Sequence, residues 1–227
     1  MKLQQNIKLA VDAIVFGYSN QQLQVLLVKQ KYGELKNQWA LVGGFVKDNE
    51  SLKTAVEREL KEETGISVSY LEQLYTFGDQ LDRDPRFRVV TVAYFALVNS
   101  LDYHPTADTD AEEAKWFSIH DLPNLAYDHK TILEVAVQRL KAKLSYQPIG
   151  FELLPKKFLF SDLENLYSTI LEKEIDRRNF RKKILSFNLV EETSVVAKNS
   201  KGRPAKFFQF NKLKYNTLLK NGFHFEI

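Results

Sequence analysis

The 227-residue sequence predicts two folded units of different class: an α/β sandwich over residues 1–147 and a smaller α+β domain over 148–227. Three observations lead there. Between residues 8 and 144, short apolar runs rich in β-branched residues alternate with two helical patterns. The stretch 145–155, SYQPIGFELLP, holds two prolines and a glycine that punctuate the chain. The formal charge then changes sign. Residues 1–150 carry 17 Lys/Arg against 20 Asp/Glu, net −3, and residues 151–227 carry 15 against 9, net +6. A basic second part points to a polyanion as its partner.

The elements follow in order. Residues 8–17 and 23–30 read as strands of a hairpin with the turn Ser19-Asn20-Gln21-Gln22 between them. Trp39–Val42 is a short strand feeding a Gly43-Gly44 loop. A helix runs from about Ser51 to Thr64, with Asn49 or Ser51 as its cap and Gly65 as a left-handed stop. Its Leu52, Val56 and Leu60 share one buried face. Residues 68–77, 87–98 and 114–117 are further strands, and His120-Asp121-Leu122-Pro123 begins a turn. Residues 129–144 show apolar spacing at 132/133, 136/137, 140 and 144, an amphipathic helix.

The chemistry concentrates between Gly44 and Ile66. Gly44, Glu50, Arg58, Glu59, Leu60, Glu62, Glu63, Gly65 and Ile66 fill every fixed position of G-x5-E-x7-R-E-U-x-E-E-x-G-U, with U aliphatic. Glu59, Glu62 and Glu63 stand at i, i+3 and i+4, on one helix face. Like charges so placed repel, and a hard cation that takes oxygen ligands reverses that cost. A second polar segment, Asp79 to Arg88, gathers Arg83, Arg86 and Arg88 with three aspartates around Pro85. Its arginines are candidates for meeting a phosphate or carboxylate.

In the second part, a helix is expected from Ser161, capped by a box to Glu164. Leu163, Leu166, Ile170 and Leu171 form its apolar face. A turn over Lys173–Asp176 leads into a second helix, where Phe180, Ile184 and Phe187 face inward. Arg177 with Arg181, and Arg178 with Lys182, make two basic rows outside. Two apolar-rich strands then flank Lys198-Asn199-Ser200-Lys201-Gly202-Arg203-Pro204, a hairpin with a basic tip. Two short helices, the second basic, followed by such a hairpin form a winged helix-turn-helix. The DNA-contacting candidates are Arg177, Arg178, Arg181, Lys182, Lys201, Arg203 and Lys206, with Arg203 suited to a narrow minor groove.

Composition sets bounds. Without cysteine the sequence has no disulfide framework and no zinc–thiolate site. No run approaches the ~18 apolar residues of a membrane span. The start lacks a signal-peptide core with a cleavage site, so a cytoplasmic location is expected.

The Gly44–Ile66 pattern is the Nudix box, and through it the first part resembles the Nudix hydrolase superfamily, whose α/β/α sandwich suits this order of elements. With the Arg-Asp-Pro-Arg loop, Pro148-Ile149-Gly150-Phe151, Arg178-Asn179-Phe180-Arg181 and Gly202-Arg203-Pro204, nearly the full length resembles the Nudix-related transcriptional regulators. The resemblance implies Mg²⁺ or Mn²⁺ held by Glu59, Glu62 and Glu63, with the Gly44 carbonyl, and an Arg58–Glu50 pair bracing loop against helix. It implies water attack on a pyrophosphate, with Glu112, Glu113 or Glu59 as general base. Family members bind operator DNA, and some respond to ADP-ribose and others to sugars such as pentoses. Many have a damaged box and only sense; here the box is intact, so metal-dependent hydrolysis is expected beside sensing. One departure stands at Val42, where many Nudix enzymes have proline. The reading is a ligand-responsive regulator, expected to be a homodimer, with ADP-ribose or a related nucleoside diphosphate sugar as effector. The alternatives are a plain Nudix hydrolase of the ADP-ribose pyrophosphatase type and a non-catalytic pentose sensor.

Overall fold

The computed structural model describes residues 6–32, 35–103, 111–196 and 205–227. They separate into two compact units, Met1–Arg139 and Leu140–Ile227.

The first unit is a mixed α/β fold on a seven-stranded sheet. Strands β1 (Lys8–Ser19) and β2 (Gln22–Gln30) form the opening hairpin. Its turn is only Asn20-Gln21, both at positive φ, the twist a two-residue hairpin turn requires. β1 is buried on both faces through most of its length. It runs parallel to β6 (Val89–Leu97) and antiparallel to β2, so it lies inside the sheet and needs an unbroken apolar run. On one face Val11, Ala13 and Val15 pack with Ala55, Val56 and Leu60 of helix α1 (Leu52–Thr64). Strand β5 (Leu71–Phe77) pairs with β6, and β7 (Ala111–Ser118) pairs with β2. Ser51 caps α1 by accepting from the Thr54 N–H at 3.1 Å, and Gly65 closes it at φ 70°.

Gly43 and Gly44 are not a loop. The segment makes two strands, β3 (Trp39–Ala40) and β4 (Val42–Phe45), and both glycines lie in β4, opposite Asp12 and Val11 of β1. A Cβ at Gly43 would collide with the Val11 carbonyl, and one at Gly44 with the Glu59 carboxylate. Close approach of backbone to neighbours explains both glycines.

Helix α2 (His129–Tyr146) begins in the first unit and ends in the second. The two compact units divide at 139/140, inside α2, and the Pro/Gly stretch near 147 lies in the second. Leu140 and Leu144 are wholly buried, and Leu144 flanks Gly150 together with Leu166 of the second unit.

That unit holds β8 (Phe158–Leu159), α3 (Phe160–Leu171), α4 (Arg177–Ser186), β9 (Val190–Val196), β10 (Lys206–Phe210) and α5 (Lys212–Asn221). Its sheet order is β8-β10-β9. The core is aromatic: Tyr167 lies 4.8 Å from Phe180, and Phe160 5.4 Å from Phe208, between ring centres. Ser161 is not the cap of α3. The helix starts earlier, because Phe160 is drawn into the core, and the Leu159 N–H donates to Asp162 at 2.9 Å. Glu164 is buried further along the helix. β8 and α5 are additions to the sequence reading. Among the described residues, no helix is long and apolar enough to cross a membrane.

Candidate functional site

The first site grows from the β4–α1 junction. Arg58, one turn into the buried part of α1, reaches back across the loop. Its Nε and Nη2 grip Glu50 at 3.0 and 2.7 Å, and Nη2 also donates to the Phe45 carbonyl at 3.2 Å. This guanidinium, with the Lys47 N–H, holds the Glu50 carboxyl down at about 2. Arg58 Nη1 serves Glu59 at 2.6 Å and Glu62 at 3.0 Å. Burial raises the Glu59 pKa against the pull of Arg58. Glu63, buried, accepts from the Gly43 N–H at 3.1 Å.

Beside these carboxylates opens a cleft of about 240 Å³, lined among others by Gly43, Gly44, Glu59, Glu63, Arg86 and Tyr127. A buried ionic cluster forms part of its wall. Arg83 donates to both oxygens of Asp128 at 3.0 and 2.6 Å and reaches Asp12 at 3.4 Å. Burial alone would lower the Arg83 pKa; the two carboxylates more than offset it and raise it. His129, wholly buried, accepts the Leu41 N–H on Nδ1 at 2.9 Å and lies 3.5 Å from Asp12 through Nε2. Burial lowers its pKa, so it is held neutral.

The arginines of the 79–88 segment therefore divide. Arg83 is an internal cross-tie, its side chain 4% exposed. Arg86 is half-exposed in the cleft, where it binds Asp84 at 2.8 Å and the Tyr127 hydroxyl at 3.1 Å. Arg88 donates to the Gly78 and Val89 carbonyls and is not among the lining residues. Glu62 does not line the cleft either. Glu112 and Glu113 stand on β7, Glu112 exposed and 3.8 Å from Lys29, and neither is among the residues that line the cleft. Their place in the sheet, opposite β2, puts them there. Asp12, Tyr127, Asp128 and His129 are site residues the sequence reading missed; the only local signal is a His-Asp pair opening a helix.

The second site is α4. Asp176 caps it, accepting from Asn179 N–H at 3.0 Å. Phe180 and Ile184 are buried, and Arg177, Arg178, Arg181 and Lys182 are exposed. Arg177 leans back toward α3, 4.0 Å from Glu164 and 3.4 Å from Asn165. Arg181 lies over the Phe160 ring at 4.4 Å. Arg178 and Lys182 have no hydrogen-bond or ion-pair partner among the described residues. Lys206 is tied to Glu192 across the hairpin. Lys201 and Arg203 lie outside the described residues.

Two family models match: the NUDIX domain over residues 7–136 and the NrtR DNA-binding winged helix domain over residues 150–210. The ADPR responsive transcriptional repressor NtrR of Acinetobacter baylyi is 35% identical over 89% of this chain and 81% of its own. The chain belongs to the NrtR family of Nudix-related regulators. Among solved structures, NrtR of Shewanella oneidensis complexed with a 27mer DNA matches with a TM-score of 0.83 and 31% identity, covering 96% of this chain and 97% of the other. The NUDIX domain of that NrtR, complexed with ADP ribose, matches at 0.56 and 38% identity, over 61% of this chain and 92% of the other. The cleft thus belongs to a Nudix domain, and α4 with the β9–β10 hairpin to an NrtR winged helix.

Proposed function

We propose that this NrtR-family protein is a repressor that binds operator DNA through α4 and releases or tightens it in response to ADP-ribose in the Nudix cleft. One observation carries the reading: the same chain presents a basic row, Arg178 and Lys182, without partners among the described residues, and a ligand cleft walled by carboxylates and the half-exposed Arg86. Charges without partners on a helix face suit phosphates. A guanidinium beside the Tyr127 and Phe87 rings suits a ligand with both a pyrophosphate and a flat base.

Two copies would bind one duplex, with their recognition helices about 34 Å apart. The ligand acts only through unequal affinity for the DNA-competent and incompetent states. A coupling of ~1–3 kcal/mol changes operator affinity roughly 5–150-fold, and linkage requires DNA to change ligand affinity equally. The test is a pair of titrations on the full chain, using a duplex selected from a random library. ADP-ribose is titrated with and without duplex, and duplex with and without ADP-ribose. Equal factors in both directions are expected, with two protomers per duplex. Unmoved affinities for ADP-ribose and duplex would overturn the reading; L-arabinose in the same assay tests the pentose alternative.

The intact box favours a second activity, hydrolysis of the bound ligand. The gathering of Glu50, Glu59 and Glu62 around Arg58, with Glu63 one turn beyond Glu59 on the same helix, suits a divalent cation. Glu59, Glu62 and Glu63 would hold Mg²⁺ or Mn²⁺, the cation competing with Arg58 for Glu59 and Glu62. Among the described residues, no three acidic or imidazole groups converge closely enough to hold a metal as they stand. Bound there, the cation would polarise phosphoryl oxygens and acidify the attacking water. The chain's own part is to keep Glu63 aimed through the Gly43 N–H, with Glu59, its pKa raised by burial, beside it in the cleft lining. Slow metal-dependent release of AMP from ADP-ribose is expected, falling by orders of magnitude in Glu63→Gln. No turnover with either cation would leave the cleft a sensor only.

A further inference from the structure

The two basic rows of α4 differ in how they are held. Arg178 and Lys182 project without partners among the described residues. Arg181, also exposed, has its guanidinium 4.4 Å from the centre of the Phe160 ring and 5.5 Å from that of Phe208. Both rings are nearly fully buried, Phe160 as the first residue of α3 and Phe208 in the middle of β10, and they meet edge to face at 5.4 Å. The shelf is therefore part of the core of the winged helix and cannot swing away. Arg177, one turn earlier in the same row, is turned toward the buried Glu164 at 4.0 Å. Glu164 lies in the same hollow, of about 450 Å³, as Phe160, Arg181 and Phe208.

A planar guanidinium held on a rigid aromatic surface has lost most of its freedom before any ligand arrives. That is the requirement for reading the two acceptors on a guanine edge, since a bidentate contact discriminates only if the fork is aimed. A mobile cation suits the opposite task. A phosphate accepts from many directions and carries no sequence information, so a free side chain contacts it without needing a fixed pose.

We propose that Arg181 is the base-reading residue of α4, held in its reading pose by the Phe160–Phe208 shelf, and that Arg178 and Lys182 contact phosphates only. The inference rests on α4 being the DNA-contacting helix.

The test uses the full-length protein and a duplex selected by the wild type from a random library, with variants of that duplex altered one base pair at a time. Arg181→Lys keeps the charge but loses the fork. It is expected to relax discrimination at one base-pair position by roughly 5–150-fold while leaving the slope of log K against log[salt] unchanged. Lys182→Gln is expected to flatten that slope by about one unit and leave discrimination unchanged at every position. Phe208→Leu keeps the core apolar and removes one ring of the shelf. It should relax discrimination at the same position as Arg181→Lys, with the folded fraction checked by circular dichroism. Full discrimination in Arg181→Lys, or a slope flattened by one unit in that variant, overturns the assignment. If the wild type enriches no sequence from the library, the operator-binding reading falls and this assignment with it.

Discussion

The Nudix cleft and helix α4 treat their positive charges differently. Around the Nudix cleft each arginine is given a carboxylate. Arg58 has Glu50, Glu59 and Glu62, Arg83 has Asp12 and Asp128, and Arg86 has Asp84. On α4 the partners thin out, and Arg178 and Lys182 have none among the described residues. The difference separates two uses of a cation. A paired arginine fixes the shape of a site, and an unpaired one supplies affinity for a polyanion. Which use applies follows from neighbours, not from the arginine.

Arg83→Ala should break the comparison most sharply. It strands the Asp12 and Asp128 carboxylates in a buried place, and we expect a loss of about 3–5 kcal/mol in urea unfolding of the full chain. A loss below about 1 kcal/mol would show that the cluster is not an internal cross-tie. Next in size, Arg178→Gln with Lys182→Gln should lower affinity for the selected duplex roughly tenfold or more near 0.1 M salt, with no change in stability. Asp176→Ala removes the cap of α4 and should cost about 1 kcal/mol, read as a lower midpoint in the same unfolding assay.

The Glu50–Arg58 pair supplies a test by pH. The Glu50 pKa is near 2 in the folded chain, against an ordinary 4.5. The stability it contributes is complete above pH 4.5 and is lost as pH falls toward 2. The gap in unfolding free energy between wild type and Glu50→Gln should therefore narrow as pH falls through that window. An unchanged gap would mean the pair is not what depresses the carboxyl. The smallest effect is expected at Glu112→Gln. With Glu112 on β7 beside Lys29, any release of AMP should continue unchanged.

Much of this was legible in the sequence. The fixed spacing of the box places Glu50, Arg58, Glu59 and Glu63 through one helix and one loop, so local geometry suffices. The face of α4 was legible for the same reason, from Phe180 and Ile184 at helical spacing. The roles within the 79–88 segment were not. Arg83, Arg86 and Arg88 are alike in sequence, and what tells them apart lies elsewhere: Asp12, Asp128 and Tyr127 come from distant parts of the chain. His129 is similar, since its acceptor role depends on Leu41. Glu112 and Glu113 stand on β7 opposite β2, a placement that cannot be read from the strand itself.

Helix α2 has a consequence for how such proteins can be recombined. His129, at its start, lines the ligand cleft, while Leu140 and Leu144, near its end, are buried in the other unit. The boundary between the units thus falls within one continuous helix. The winged helix is therefore not portable from the Pro148-Ile149-Gly150 stretch onward. A graft that begins after Tyr146 leaves out Leu140 and Leu144 and is expected to be destabilised by the two holes they leave, whereas one that begins at Leu140 keeps that core filled.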